Sequence, residues 1–153
     1  MRLLTEQSAT IACSVDSAYR YASNLERFGE WFPGVLRIVS TDTLDHGVVG
    51  KEYLETVSIP FQGQREVRIR VREARTDELF VTEGTLSPLL PRMEILFRAS
   101  GPSACSVTWR MLSRNEGWLA RLALLPLASR VLTERATRAM VRLKTNLEAP
   151  SSP

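Results

Sequence analysis

The chain has 153 residues, a formal net charge of +3 and a hydrophobic fraction of 44%. This length is that of one ordinary domain, and a charged fraction of 24% excludes a disordered or fibrous protein. The most apolar window, residues 118–132, is interrupted by Arg121, Pro126 and Arg130, so it predicts no membrane span. We expect a single domain over residues 1–149 and a disordered tail at 150–153.

The first 35 residues predict a strand followed by two short helices. Thr5 to Ser14 is rich in small and β-branched residues, and Ser14 or Asp16 can cap the helix that follows. That helix has an apolar stripe at steps of three and four residues, formed by Ala18, Tyr21, Ala22 and Leu25. A second helix is predicted from Leu25 to Trp31, because Pro33 and Gly34 then force a turn.

The middle of the chain predicts six more strands in consecutive hairpins. The clearest alternation interleaves apolar and basic side chains at Val67, Arg68, Ile69, Arg70, Val71 and Arg72. The other strands are predicted at Val35–Val39, Lys51–Ile59, Glu78–Leu86, Met93–Ala99 and Val107–Met111. Short connections between neighbours favour an antiparallel meander over crossover units.

The last segment changes to a helical period. Its apolar residues recur every three or four positions at Leu125, Ala128, Leu132, Ala136, Met140, Leu143 and Leu147. Pro126 is compatible with a first helical turn, so we predict a short helix over Gly117–Leu125 and a main helix from there to Glu148. At about 1.5 Å per residue the main helix spans roughly 30–35 Å, enough to cross a sheet.

The segment Ile11 to Val35, with its run Phe28-Gly-Glu-Trp31-Phe32-Pro33-Gly34, resembles the opening of the START-related, Bet v 1-like (SRPBCC) superfamily. Within it the chain is most similar to the polyketide cyclase/dehydrase-type lipid-binding proteins, over about residues 5–148. The resemblance implies an α+β helix-grip fold, in which a curved seven-stranded antiparallel sheet wraps around a long C-terminal helix. It also implies that the aromatic cluster seals one end of the grip.

Such a fold usually leaves an apolar cavity between the sheet and the last helix, where a hydrophobic molecule could bind. Alternation and helical spacing predict the side chains that face this space, each of which could equally be ordinary core. They are Trp31, Tyr53, Val57, Ile59, Val67, Ile69, Val71, Met93, Ile95, Phe97, Val107, Trp109, Met111, Leu132, Ala136 and Met140. The methionines favour an adaptable site, because methionine fits variable apolar shapes.

A cyclisation would need an acid and a base near a carbonyl group, and four residues are weak candidates for these roles. Tyr53 and Glu55 are in phase with the inward residues of their strand. Glu83 is a further candidate, whereas Arg110 is out of phase with Trp109 and so favours the solvent face. Burial of Glu55 would raise the pKa of its carboxyl, and a solvated strand-end carboxylate is the alternative.

Other chemistry lacks a pattern in the sequence. The single histidine, His46, precedes Gly47 in an apparent turn, and Cys13 and Cys105 lack metal-ligand spacing, so we expect neither a metal site nor a cofactor. The resemblance implies that the first and last strands are neighbours, which brings the two thiols close. Either two reduced thiols or a redox pair is compatible with this, and a reducing compartment favours the reduced form.

We interpret the chain as a binder of a hydrophobic, lipid- or polyketide-like molecule. An aromatase/cyclase acting on a polyketide is the first alternative, and a protein-interaction module is the second. The scattered arginines predict no nucleic-acid partner and rank contact with anionic lipid, through Arg121, Arg130, Arg135, Arg138 and Arg142, below a solvated surface. We expect a monomer or homodimer, in the cytoplasm because the first residues lack a signal-like apolar run.

Overall fold

The computed structural model describes residues 1–150 and has one curved sheet of seven antiparallel strands. The strands are β1 (Arg2–Ile11), β2 (Val35–Ser40), β3 (Glu52–Ile59), β4 (Gly63–Arg75), β5 (Leu79–Gly84), β6 (Pro91–Ala99) and β7 (Cys105–Ser113). Their order is β1-β7-β6-β5-β4-β3-β2, so β2 to β7 form a meander and the first strand pairs with the last. Apart from Pro150, the predicted tail at 150–153 lies outside the described residues.

Three helical elements complete the predicted helix-grip fold. They are helix α1 (Val15–Ser23), a 3₁₀ helix (Leu25–Glu30) and the long helix α2 (Leu125–Glu148). The side chain of Ser14 accepts a hydrogen bond from the Ser17 amide at 3.2 Å and thereby begins α1. Asn24 does the same for the Glu26 amide at 3.1 Å, which begins the 3₁₀ helix. The α+β architecture that the sequence predicts is thus confirmed.

Bulges bend the sheet around its inward face. The β4–β5 register shifts between Val71 and Glu73, and the β1–β7 register shifts between Leu3 and Thr5. Each extra residue increases the local twist, which a sheet needs in order to curl around a helix. Between these bulges the alternation of β4 holds, since Val67 and Val71 are buried while Arg68, Arg70 and Arg72 are exposed.

The last helix differs from the prediction, because the two helices expected on either side of Leu125 are one continuous helix from Trp118. Residues Ala120–Leu124 form a π-helical turn, in which the Leu125 amide donates to the carbonyl of Ala120. Pro126 follows directly and lacks an amide hydrogen to donate to the preceding turn. The wider π turn accommodates that missing donor without a break.

Helix α2 packs chiefly along β1. Ser129 Oγ donates to the Leu4 carbonyl at 2.6 Å, and the hydroxyls of Thr133 and Thr5 lie 2.9 Å apart. Leu25 and Phe28 of the 3₁₀ helix lie near inward-facing residues of β3 to β5. No helix among residues 1–150 is long and apolar enough to cross a bilayer.

All neighbouring strands are antiparallel. The starts of β1, β2, β4 and β6 and the ends of β3, β5 and β7 therefore lie at the same end of the sheet. We call this end of the sheet the cavity end. The β3–β4 hairpin, the β5–β6 loop and the segment that leads into α2 all lie there.

Candidate functional site

A small, partly open cavity lies between the sheet and the 3₁₀ helix, near the cavity end. Its volume is about 60 Å³, which is room for roughly two water molecules. Drug-sized ligand pockets occupy roughly 300–1,000 Å³, so a lipid or polyketide chain fits only after the lining moves. The lining consists of Leu25, Phe28, Glu55, Val67, Ile69, Thr82, Gly84, Pro91, Met93 and Met111.

The cavity lies under the 3₁₀ helix, whereas the sequence predicts it between the sheet and the last helix. Leu25 and Phe28 of the 3₁₀ helix close it, and its described lining contains no residue of α2, because that helix packs on β1. Four residues of the predicted set do line it, namely Val67, Ile69, Met93 and Met111.

The other twelve predicted cavity residues lie elsewhere. Ten belong to the packed core, namely Trp31, Tyr53, Val71, Ile95, Phe97, Val107, Trp109, Leu132, Ala136 and Met140. Val57 and Ile59 are half-buried near the end of β3. Alternation predicts which side chains of a strand face inward. An inward side chain borders a cavity only where the element opposite does not pack against it.

Sequence reasoning missed five lining residues, of which Gly84 is the most informative. A Cβ atom at Gly84 would lie 3.1 Å from Val67 Cγ1 and 3.2 Å from Pro91 Cγ. Glycine therefore allows β4 and the start of β6 to approach each other across the end of β5. A glycine within an apparent strand was the one available signal for this approach. Leu25, Phe28, Thr82 and Pro91 carried no signal that separates them from core.

Glu55 is the one ionisable side chain of the described lining. It is half-buried on β3, faces the cavity and forms no salt bridge within residues 1–150. Burial raises the pKa of its carboxyl to about 7, and the nearby positive charge of Arg135 opposes this only in part. Near neutral pH the group therefore exists in both protonation states, which suits proton exchange with a bound molecule.

Arg135 reaches the cavity region from α2. Its Nη2 donates to the carbonyl of Ser58 at 2.8 Å. Gly34, with a φ of +86°, gives it space, since a Cβ there would lie 2.3 Å from Arg135 Nη1. The sequence favours a solvated position for this guanidinium and ranks lipid contact second, whereas in the structure it is half-buried and bonded across the fold.

Replacement of Arg135 by methionine is expected to raise the pKa of Glu55 further, because the opposing positive charge is removed. An NMR titration of the glutamate side-chain carbons measures this directly. Arg138→Met is the matched control, since it removes the same charge from an exposed position one turn away. Equal shifts in the two variants would contradict a specific Arg135 effect.

Tyr53 lies beside Glu55 in sequence but belongs to a different polar group. It is fully buried, and its hydroxyl shares a 2.6 Å hydrogen bond with Nδ1 of His46. His46 Nε2 lies 3.4 Å from Oε1 of Glu26, and Lys51 Nζ lies 5.1 Å from the centroid of the Tyr53 ring. Burial raises the pKa of the Tyr53 phenol, so it stays protonated at neutral pH. Its hydroxyl thus holds the β2–β3 loop and does not line the cavity.

Glu83 and Arg110 lie on the opposite face of the sheet from the cavity. Arg92 joins Glu83 and Glu94 at 3.1 and 2.8 Å, and Arg110 lies 3.5 Å from Glu94 and 3.3 Å from Glu6. These charges form an alternating ladder over the outward side of β5, β6, β7 and β1. Neither side chain faces the cavity. Arg110 lies on the outward face that its phase predicts, and Glu83 belongs to the ion pairs of that face and not to the cavity lining.

Cys13 and Cys105 are both free thiols. Burial, followed by the neighbouring Cys105 sulfur, raises the pKa of the Cys13 thiol to about 11. Few thiolates are therefore present at neutral pH, and reactivity is low. Among residues 1–150, no three His, Cys, Asp or Glu side chains are grouped so as to bind a metal.

Residues 2–148 match the family described as polyketide cyclase / dehydrase and lipid transport. The chain belongs to this family. The resemblance noted in the sequence is thereby confirmed, with almost the whole chain matched. Among curated proteins, no sequence matches the chain significantly.

Solved structures share the fold at low identity. A START superfamily protein from Mycobacterium smegmatis aligns over 97% of this chain and 98% of its own, with 13% identity and a TM-score of 0.73. The di-domain ARO/CYC protein StfQ of the steffimycin biosynthetic pathway aligns over 96% of this chain, with 16% identity and a TM-score of 0.71. This chain spans only 51% of StfQ.

Norcoclaurine synthase from Thalictrum flavum, solved with dopamine and hydroxybenzaldehyde, aligns over 97% of this chain and 88% of its own. Its identity is 16% and its TM-score 0.66. At these identities the structures establish the fold of this member of the family, and its activity has to be argued from its own residues.

Proposed function

We propose that this family member binds a hydrophobic small molecule in the cavity under the 3₁₀ helix, with a polar atom of the ligand beside Glu55. One observation carries the proposal: a single carboxyl faces a mostly apolar space without an ion pair. Such a group costs stability in the empty protein, and sites of this kind are concentrated where ligands bind or react. The family description, which includes lipid transport, supports the same class of ligand.

Ligand binding requires the lining to give way, and two of its side chains are suited to that. Met93 and Met111 face each other across β6 and β7 and both border the space. Methionine is unbranched and changes rotamer at little cost, so these residues can fill the cavity when it is empty and withdraw when a ligand enters.

The test is equilibrium binding of the fluorescent fatty acid cis-parinaric acid to the wild type and to Met111→Ala. Removing the methionine side chain enlarges the cavity, so we expect saturable binding that tightens by about tenfold, at a stability cost of roughly 2–5 kcal/mol. Met140→Ala is the matched control, because Met140 is a buried methionine of α2 that does not border the cavity.

Binding should also fall between pH 6 and pH 8, since an ionised Glu55 repels the carboxylate of the probe. If neither the wild type nor Met111→Ala binds the probe, the carrier proposal is wrong and the protein-interaction alternative gains. Equal tightening in Met140→Ala would show that the probe reports loosened packing and not this cavity.

A cyclase is the second candidate, favoured by the pKa of Glu55 alone. A carboxyl with a pKa of about 7 can accept a proton from a substrate carbon and return it to an oxygen at neutral pH. Thr82 adds a hydroxyl to the lining. With a carrier-tethered poly-β-ketone as substrate, Glu55→Gln should abolish cyclisation while the fold, checked by circular dichroism, is retained. A cytoplasmic location and the oligomeric state remain predictions.

A further inference from the structure

Exposed apolar side chains are concentrated at the cavity end of the molecule. Phe61 lies at the tip of the β3–β4 hairpin and is fully exposed. Trp118, Leu119, Leu122 and Leu127 lie on the helical segment after β7 and are 59–74% exposed. These two elements flank the cavity end of the sheet, where the cavity is lined by Val67, Gly84, Pro91 and Met111.

The helical segment presents its apolar side to solvent. Only Leu125 in the stretch 118–127 is buried, whereas Trp118, Leu122 and Leu127 stand outward. An outward apolar helix face is unfavourable in water unless something covers it. The π turn at Ala120–Leu124 contains no buried residue, and packing does not explain the leucine at 122, which is 74% exposed.

The charges within the helical segment have one sign, and the exposed Glu116 directly precedes it. Arg121 and Arg130 are exposed between the leucines, and no acidic residue occurs from Gly117 to Thr133. Arg65, beside the tip of the β3–β4 hairpin, is exposed as well. Aromatic and leucine side chains flanked by arginines are the composition of helices that lie in the interface of an anionic bilayer.

We propose that the cavity end docks on an anionic lipid bilayer, with Trp118, Leu122, Leu127 and Phe61 inserted at the boundary between head groups and acyl chains. The docking proposal rests on the proposed function. It names the bilayer as the source of the cavity's ligand, since docking places the cavity against the membrane. Arg121 and Arg130 meet the phosphate groups. A symmetric dimer through this face would bring the arginines of two copies together, so the charge pattern disfavours a second copy as the cover.

Trp118 is a built-in reporter of docking. The other tryptophans, Trp31 and Trp109, are 0% and 1% exposed, so a change of polarity at the surface alters only Trp118. We expect vesicles of phosphatidylcholine with 30% phosphatidylglycerol to shift the emission to the blue, and brominated lipids to quench it. Vesicles of phosphatidylcholine alone should have little effect, and salt should reverse the shift. Trp118→Phe should lose the signal and keep sedimentation with vesicles.

Leu122→Ser should weaken vesicle binding by about tenfold, because a leucine side chain no longer leaves water on docking. Val141→Ser is the matched control, since Val141 is 63% exposed on α2 but lies about five turns further along the helix. Replacement of both Arg121 and Arg130 by glutamine should weaken binding by roughly tenfold or more at low salt, with little effect on uncharged vesicles.

Absence of a blue shift and of sedimentation with the anionic vesicles would overturn the docking proposal. Concentration-dependent dimerisation that Leu122→Ser abolishes would also overturn it, because a second copy would then cover the face. The parinaric acid titration contains no vesicles, so it tests the cavity separately: docking can fail while cavity binding stands, and Leu122→Ser should leave that titration unchanged.

Discussion

Replacement of Glu55 by glutamine is expected to stabilise the protein at pH 8 by about 3 kcal/mol and at pH 5 by less than about 1 kcal/mol. The folded protein keeps the Glu55 proton up to a pH of about 7, whereas the unfolded chain loses it near 4.5. Within this window the folded state binds more protons, so the free energy of unfolding falls as the pH rises. Glutamine resembles the protonated carboxyl and removes that loss.

Urea unfolding of both proteins at several pH values between 5 and 8 measures the effect. Glu66→Gln is the control, because Glu66 is an exposed carboxyl that pairs across from Thr56 on the outward face of β4. In Glu66→Gln the free energy of unfolding should still fall between pH 5 and pH 8, as it does in the wild type. A Glu55→Gln variant whose stability follows that of the wild type throughout would mean that Glu55 is solvated and is not a cavity carboxyl.

Trp109→Ala is expected to cost roughly 3–5 kcal/mol, whereas Trp109→Phe should cost little or nothing. Trp109 is 1% exposed on β7, and its ring lies 4.8 Å from that of Phe32, which joins the sheet to the end of the 3₁₀ helix. The alanine leaves a large void. Phenylalanine keeps most of the ring volume and removes an indole N–H that is buried without a hydrogen-bond partner in the described structure.

Thermal and urea denaturation distinguish the two substitutions. A large loss in Trp109→Phe would show that the indole N–H does have a partner in solution, such as an ordered water molecule or a ligand atom. That outcome would be informative about the site as well, because Phe32 stacks on Phe28 at 5.0 Å and Phe28 closes the cavity.

Much of the fold could be predicted because period and turn signals are local. The alternation through Val67, Ile69 and Val71 determines which face of β4 is dry, and strand pairing carries that phase to Glu55 and to Met93. The inward position of Glu55 and the outward position of Arg110 both follow from counting along a strand. The face of the sheet on which Glu83 lies became clear only from its pairing with Arg92 in the structure.

The site was harder to predict, because a void depends on elements distant in sequence. The helical spacing of α2 does not reveal that this helix contacts β1 through Ser129 and Thr133, or that the 3₁₀ helix borders the cavity instead. The partnership of Tyr53 with His46, across a seven-residue loop, has no pattern in the sequence. Likewise, the apolar stripe of the last helix does not reveal that Trp118 and Leu122 remain uncovered.

By itself the sequence determined the α+β helix-grip architecture, the seven strands and the apolar inward face, since hydrophobic period and turn residues act over a few neighbours. Only the tertiary structure decided that the cavity is small, that Leu25 and Phe28 close it, and that Glu55 is its single carboxyl. The physical reason is that packing sums contacts from the whole chain: a shift of one helix across the sheet fills one space and opens another, while leaving every local pattern unchanged.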